Sequence, residues 1–197
     1  MTRTAFPALL AAFIAQPVLA QDGAYFGAGI GITDSASAAE IFPDNEASGT
    51  EAALALTAGY RFAGANGLSY GIEGNLDIQA GGTMSFPGRD ACTDFSPTWC
   101  AVDTVFRVRG TLGTTLATGD LLMASVGGVM VKGTAEDGPG NYVDTTGTGL
   151  SLGLSWQSGN VALPVRVDLN FDRINSDDAD LFDRDLDLIG LRVSYMF

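Results

Sequence analysis

The stretch Thr148-Gly149-Leu150-Ser151-Leu152-Gly153-Leu154-Ser155-Trp156-Gln157 decides the fold. Large apolar residues occupy every second position and Gly or Ser fills those between, so an extended chain here has one greasy face and one small, polar face. The uncharged run around it, 145–165, is long enough for a transmembrane helix by length alone, but Gly, Ser, Thr, Asn, Gln and Pro interrupt it throughout. It reads as a β-strand.

The same period of two recurs on both sides. Phe26, Ala28, Ile30 and Ile32 alternate with Tyr25, Gly27, Gly29 and Gly31, and Ala52, Leu54, Leu56, Ala58, Tyr60 and Phe62 with Glu51, Ala53, Ala55, Thr57, Gly59 and Arg61. Leu68, Tyr70, Ile72, Leu76 and Ile78 oppose Ser69, Gly71, Glu73, Asn75 and Asp77. Thr104, Phe106, Val108 and Leu112 oppose Val105, Arg107, Arg109 and Thr111. A fifth strand, about 121–133, is apolar in both phases; Ser125 and Gly127 are read inward, Leu122, Val126 and Met130 outward. The quoted stretch is the sixth. Leu163, Val165, Val167, Leu169 and Phe171 against Pro164, Arg166, Asp168, Asn170 and Asp172 make the seventh, and Ile189, Leu191, Val193, Tyr195 and Phe197 against Gly190, Arg192, Ser194 and Met196 the eighth.

Connections alternate in length. Tight turns at 63–67, 117–120 and 158–160 follow strands two, four and six, and long polar segments at 33–50, 80–103, 134–146 and 175–185 follow strands one, three, five and seven. An even number of strands, short turns on one side and long loops on the other, describes an all-β, eight-stranded antiparallel up-and-down transmembrane barrel. A soluble ligand-binding barrel alternates too, but its water-facing phase carries many long charged side chains. Here the polar phase is mostly Gly, Ser and Thr, which suits a narrow lumen. Tyr60, Phe62, Trp156, Tyr195 and Phe197, near the short-turn ends, suit an interfacial aromatic girdle.

Composition limits the chemistry. The 197-residue chain has 10 Lys+Arg against 23 Asp+Glu, a net charge of -13, 26 Gly, two Cys and no His. The charge balance argues against nucleic acid as a partner, since phosphate contacts need clustered cations. Histidine-dependent nucleophiles and His-based metal or haem sites are excluded. No catalytic, cofactor or metal site is expected. Residues 1–20 have the layout of a cleaved secretory signal peptide, with Arg3, an apolar stretch over 8–15, Pro17, and Val18-Leu19-Ala20 before Gln21. The expected division is therefore a signal peptide at 1–20 and a barrel domain at 21–197, exported to the outer membrane of a Gram-negative cell.

The segment Ile189-Gly190-Leu191-Arg192-Val193-Ser194-Tyr195-Met196-Phe197 resembles the terminal strand of bacterial outer-membrane proteins. Phe106-Arg107-Val108-Arg109-Gly110-Thr111-Leu112-Gly113 followed by Leu121-Leu122-Met123-Ala124-Ser125-Val126-Gly127-Gly128-Val129 is similar to the strand four to five hairpin of the OmpA-like and opacity-type "outer membrane protein β-barrel domain" family, whose Gly-rich first strand is resembled by Tyr25 to Gly31. The likeness spans 21–197, and only the terminal strand and the hairpin are specific. It implies that Ile189, Leu191, Val193, Tyr195 and Phe197 are a C-terminal signal for the barrel-assembly machinery. The peptidoglycan-binding domain of full-length OmpA is not expected here, so its tethering role is not carried over. The lipid deacylases and proteases of this architecture use a His that this chain lacks.

Lumen-facing charges balance. The acids Glu51, Glu73, Asp77, Asp168 and Asp172 stand against Arg61, Arg107, Arg109, Arg166 and Arg192. Glu73 is expected to pair with Arg107 or Arg109, and Asp168 with Arg166 or Arg192, because lone charges in a narrow lumen are costly. A salt-bridged plug is the main reading. A gate or small-solute porin-like pore is the alternative, and a carboxylate dyad using Glu73 or Asp168 the last. The remaining acid falls in the long loops: Asp34, Glu40, Asp44 and Glu46; Asp90, Asp94 and Asp103; Glu136, Asp137 and Asp144; Asp177, Asp178, Asp180, Asp183, Asp185 and Asp187. These keep the rim soluble, or meet divalent cations bridging to lipopolysaccharide, or meet a basic surface partner. The last group lacks the spacing of an EF-hand. Cys92 and Cys100 are expected to form a disulfide worth about 2 to 3 kcal/mol, with Phe95, Pro97 and Trp99 as an exposed contact patch within that loop. The expected function is a non-enzymatic outer-membrane barrel with a structural or surface-interaction role.

Overall fold

In the computed structural model, the structure describes residues 22–39, 42–86, 89–90, 99–136, 142–160, 162–175 and 184–197. The expected signal peptide, 1–20, lies outside them. Eight strands form the wall: β1 Gly23–Ala39, β2 Phe42–Ala63, β3 Leu68–Gln79, β4 Trp99–Thr115, β5 Leu121–Glu136, β6 Tyr142–Gln157, β7 Val165–Asn175 and β8 Arg184–Met196. Each pairs antiparallel with its chain neighbour, and β1 also pairs with β8 in the register Gly29↔Ser194 and Gly31↔Arg192, so the sheet closes on itself. Closure removes the sheet edges that a bilayer would otherwise leave without hydrogen bonds.

The alternation places side chains as read. Ile30, Leu54, Ile72, Val108, Val126, Leu152, Leu169 and Leu191 face outward, while Glu73, Arg107, Ser125, Ser151, Asp168 and Arg192 are buried inside. The ambiguous β5 takes the expected phase, with Ser125 buried and Leu122, Val126 and Met130 exposed. At the short-turn end Tyr60, Phe62 and Tyr70 stack along the outer wall, with ring centroids 4.8 and 5.3 Å apart, and Tyr195 meets Phe197 at 5.0 Å. From Ala52 to Phe62 the outer face of β2 is apolar, a height of about 25 Å at the usual strand tilt.

Three expectations about the connections need correction. The segments 33–50, 80–103, 134–146 and 175–185 are not wholly loops. β1 runs to Ala39 and β2 starts at Phe42, β4 starts at Trp99, β5 reaches Glu136, β6 starts at Tyr142 and β8 at Arg184. Above the apolar belt the outer face borders water, so polar residues alternate on the wall without ending the pairing, and polarity alone does not mark a loop. Second, the 158–160 turn extends to Pro164, and β7 begins at Val165 rather than Leu163. The Ser158 N–H donates to Val165 O at 2.8 Å, which closes the turn around the proline. Third, the 80–103 segment contains two-residue strands, Ser85–Phe86 and Arg89–Asp90, with Ser85 paired to Ser48 of β2.

The short turns are set by residues that tolerate the left-handed region. In the β2–β3 turn Asn66 and Gly67 have φ of 58° and 75°, where Asn and Gly carry the least steric cost. The other two turns are tied together: Asp120 accepts from the Gly159 N–H at 2.9 Å and from Thr118 Oγ1 at 2.9 Å. The Gly159 hydrogen bond, with Thr118 adding to it, lowers the Asp120 carboxyl below the usual range.

Strand contact is closest at certain glycines. A Cβ on Gly127 would lie 2.0 Å from Val108 O on the neighbouring strand, whereas one on Gly110 would meet nothing nearer than 3.9 Å. Gly127→Ala is therefore expected to cost about 1 to 3 kcal/mol and Gly110→Ala well under that. Urea unfolding in detergent micelles, followed by circular dichroism, checks the difference; equal midpoints would refute the close approach.

Candidate functional site: an ion-paired lumen between two apolar lids

Small residues make the interior accessible to long side chains. A Cβ on Gly153 would sit 2.6 Å from Arg109 Nη1, one on Gly59 2.4 Å from the Tyr25 ring, and one on Gly31 2.9 Å from Arg192 Cγ. The glycines thus clear the volume that the large polar residues fill.

The lumen charges of β3, β4, β7 and β8 form one chain of contacts. Glu73 accepts from Tyr25 Oη at 2.8 Å, from Asn75 Nδ2 at 3.0 Å, from Arg109 Nη2 at 3.2 Å and from both Arg166 terminal nitrogens, the Nη2 contact being 3.0 Å. Arg166 Nε continues to Asp168 Oδ1 at 2.7 Å, where Ser155 Oγ also donates at 2.6 Å. Asp168 and Arg192 pair at 3.5 Å, and Arg192 Nη1 reaches Asp77 Oδ1 at 3.1 Å. Asp77 binds Arg107 Nη1, and Arg107 grips Asp172 through Nε at 3.0 and 2.9 Å and Nη2 at 2.6 Å. Arg109 also donates to Asn170 Oδ1 and Asn75 Oδ1, both at 2.5 Å. Four guanidinium groups and four carboxylates are joined, so this chain is neutral.

Of the expected pairs, the structure brings Glu73 to Arg109 and Asp168 to both Arg166 and Arg192. Arg107 goes instead to Asp77 and Asp172. Glu73 gains a partner that adjacency did not suggest, Arg166 from the far side of the barrel. Two expected lumen charges stand outside the chain. Arg61 donates to Gln157 Oε1 at 3.1 Å and lies 4.8 Å over the Tyr25 ring, at the short-turn end. Glu51 is buried towards the other end.

Apolar groups close both ends of this layer. Tyr25, Leu121, Met123 and Met196 are buried inside at the short-turn end. At the other, Ala47, Met84, Phe86, Trp99, Val102, Val105, Val129, Val131, Ile174, Leu186 and Leu188 form one buried cluster. This cluster was missed, and Trp99 must be corrected: it is not an exposed patch residue but 0% exposed, seated against Gly133 and Gly147. Register shifts between Trp99 and Ala101 and between Val102 and Thr104 let Val102 and Val105 both point inward while Asp103 faces out. Met84 enters the gap where β3 has ended, its N–H donating to Cys100 O at 2.7 Å. A signal was present. In β8, Ile189 and Leu191 face out while Leu186 and Leu188 face in, so the apolar phase reverses where the wall leaves the belt.

Of the acids expected in the long loops, those described lie on strand walls. Asp34, Glu46, Asp103 and Asp144 are exposed on the outer face, and Asp185 and Asp187 are half-exposed there. Asp34 accepts from Thr50 Oγ1 at 2.9 Å, and Arg173 pairs with Asp185 at 2.9 Å on the surface. The side chains of Asp44, Asp90 and Glu136, and residues Glu40, Asp94, Asp137, Asp177, Asp178, Asp180 and Asp183, lie outside what is described. So does Cys92, and with it the expected bridge to Cys100, which is buried in β4. Among the described residues no group of three or more His, Cys, Asp or Glu could hold a metal ion. Ile189, Leu191, Val193, Tyr195 and Phe197 lie on the outer face of the last strand, and the chain end pairs with β1 through Phe197 N to Phe26 O at 2.8 Å.

A closed eight-stranded barrel with an apolar belt outside and a polar interior is the architecture of the small outer-membrane β-barrels. The fold is similar to that of Ail, the attachment invasion locus protein of Yersinia pestis, which is 15% identical over 90% of this chain and 100% of its own, with a TM-score of 0.50. Ail in complex with the heparin analogue sucrose octasulfate aligns over 89% of this chain and 99% of its own at 15% identity and a TM-score of 0.49. Neisserial surface protein A aligns over 89% and 100% at 10% identity and a TM-score of 0.48. No family model matches the chain, and no curated protein matches it significantly.

Asp77 binds two buried arginines at once. Asp77→Ala would leave both short of a partner and is expected to cost about 3 to 5 kcal/mol. Adding Arg192→Met to that variant, which leaves Asp168 with Arg166 and Ser155, should recover part of the loss. Equilibrium unfolding of the two variants checks this; a double variant no more stable than Asp77→Ala would contradict the pairing.

Proposed function

We propose that this chain is a non-enzymatic outer-membrane protein with a closed lumen, whose role is structural and surface-interactive. The layered interior carries the reading. A solute crossing the barrel would have to pass the Trp99 and Leu188 cluster, the neutral arginine–carboxylate chain, and the Tyr25 and Met123 layer. Each layer opposes conduction differently: the apolar ones exclude ions, and the paired one offers no vacant charge to replace hydration. The porin-like alternative requires all three to open. An enzyme reading has only Glu73 and Asp168 to draw on, and both are committed to arginines.

Interaction is then left to the outside. The apolar belt meets lipid, and the C-terminal residues Ile189 to Phe197 address the assembly machinery during insertion, after removal of 1–20. Above the belt the described outer wall carries Asp34, Glu46, Asp103, Asp144, Asp185 and Asp187 against Lys132 and Arg173. Such a surface favours a basic partner, or divalent cations shared with lipopolysaccharide, over a polyanion.

Single-channel recording in planar bilayers tests the proposal. The purified barrel, first shown to be folded by its heat-dependent gel mobility, is expected to give no steady openings. Steady, reproducible conductance from the folded form would overturn the closed-lumen reading in favour of a small-solute pore.

A further inference from the structure

Between the neutral ion-paired layer and the apolar cluster lies one carboxylate that has no counter-charge among the described residues. Glu51 is 6% exposed, and its Oε1 is buried with no hydrogen-bond donor. The charge that acts on it belongs to another acid, Asp103. Thr33 stands directly opposite it on β1, and Gln79 lies diagonally across on β3, opposite Ala53. Gln79 is 7% exposed; its Nε2 donates to Thr33 Oγ1 at 3.2 Å, and its own Oε1 is a second buried acceptor lacking a donor. The carboxylate lies over Gly82, where a Cβ would come within 3.0 Å of Oε1.

A buried carboxylate is stable only when it takes up a proton or is paired with a cation or a donor. Here the neighbouring groups present oxygen, and every guanidinium of the layer below is engaged with other acids. We infer that Glu51 and Gln79, with the Thr33 hydroxyl between them, form an acceptor pocket that holds one hard cation, for which calcium from the external medium is the fitting ion. One carboxylate with neutral oxygens makes a weak site, with a dissociation constant of about 10⁻⁴ to 10⁻³ M, as in extracellular modules. The site is distinct from the acids of the outer wall, because it lies inside the barrel.

The test is thermal unfolding of the full chain, refolded in detergent free of lipopolysaccharide, at rising calcium. The wild type should show a saturable upward shift of several degrees in its midpoint. Glu51→Gln should abolish that shift, while Asp144→Asn, which removes an outer-wall acid, should keep it. Gln79→Met supplies a second variant should Glu51→Gln fail to fold, and should also lose the shift. Two results overturn the inference. No saturable shift in the wild type would leave the Gln79 amide, turned end for end, as the donor to Glu51. An undiminished shift in Glu51→Gln would place the calcium on the outer wall.

Discussion

The narrowness of an eight-stranded barrel is the constraint on which the rest of the structure depends. Closing eight tilted strands leaves an interior just wide enough for side chains, so every large residue inside must face a small one. Tyr25 lies against Gly59, Arg192 against Gly31, Arg109 against Gly153, and Trp99 against both Gly133 and Gly147. The 26 glycines are thus not a mark of flexibility. Many are the volume complement of an arginine, a tyrosine or a tryptophan, and they allow a β-barrel to carry long charged groups at native packing density.

Narrowness also dictates the charge. With little room for water, a lone ion inside is expensive, and planar guanidinium groups that bind two acids at once satisfy the most carboxylate in the least volume. Arg107 reaches from β4 to Asp172 on β7, and Arg166 reaches from β7 to Glu73 on β3. These are braces across the lumen between strands that share no backbone ladder. Such pairs contribute less to stability than their number suggests, because desolvation offsets much of the attraction. Their geometric effect is larger: a one-residue slip of β7 would turn Arg166, Asp168 and Asp172 outward into the belt.

Alternation made the fold legible, since the phase of Leu150 to Trp156 and of its seven counterparts names the face of nearly every residue. It also named the lumen charges, because Glu73, Arg107 and Asp168 fall in the small, polar phase. Periodicity does not say which strands lie across the barrel from one another, so the Glu73–Arg166 contact stayed hidden while the adjacent Glu73–Arg109 contact did not. The upper wall was misread for a different reason. Polar residues from Thr33 to Ser37 and from Ser48 to Thr50 keep the period of two, but with no apolar partner phase they resemble loop. Trp99 is not legible as a core residue because two register shifts change the phase of β4 just where it enters the barrel.

The reversal of phase along a single strand has a direct physical meaning. In β8, Leu186 and Leu188 face in and Asp185 and Asp187 face out, whereas Arg192 faces in and Leu191 faces out. The first arrangement is that of a barrel in water and the second that of a barrel in lipid, so the switch near Ile189 fixes the level of the bilayer surface. Trp99, Val131 and Ile174 obey the water rule at the same height on their own strands. The wall therefore continues beyond the apolar belt with its own apolar core, and the described outer-face acids Asp34, Glu46, Asp103, Asp144, Asp185 and Asp187 lie on that part. On the proposed reading, partner choice at this surface is governed by charge on the strand walls, and it weakens as salt screens the exposed acids.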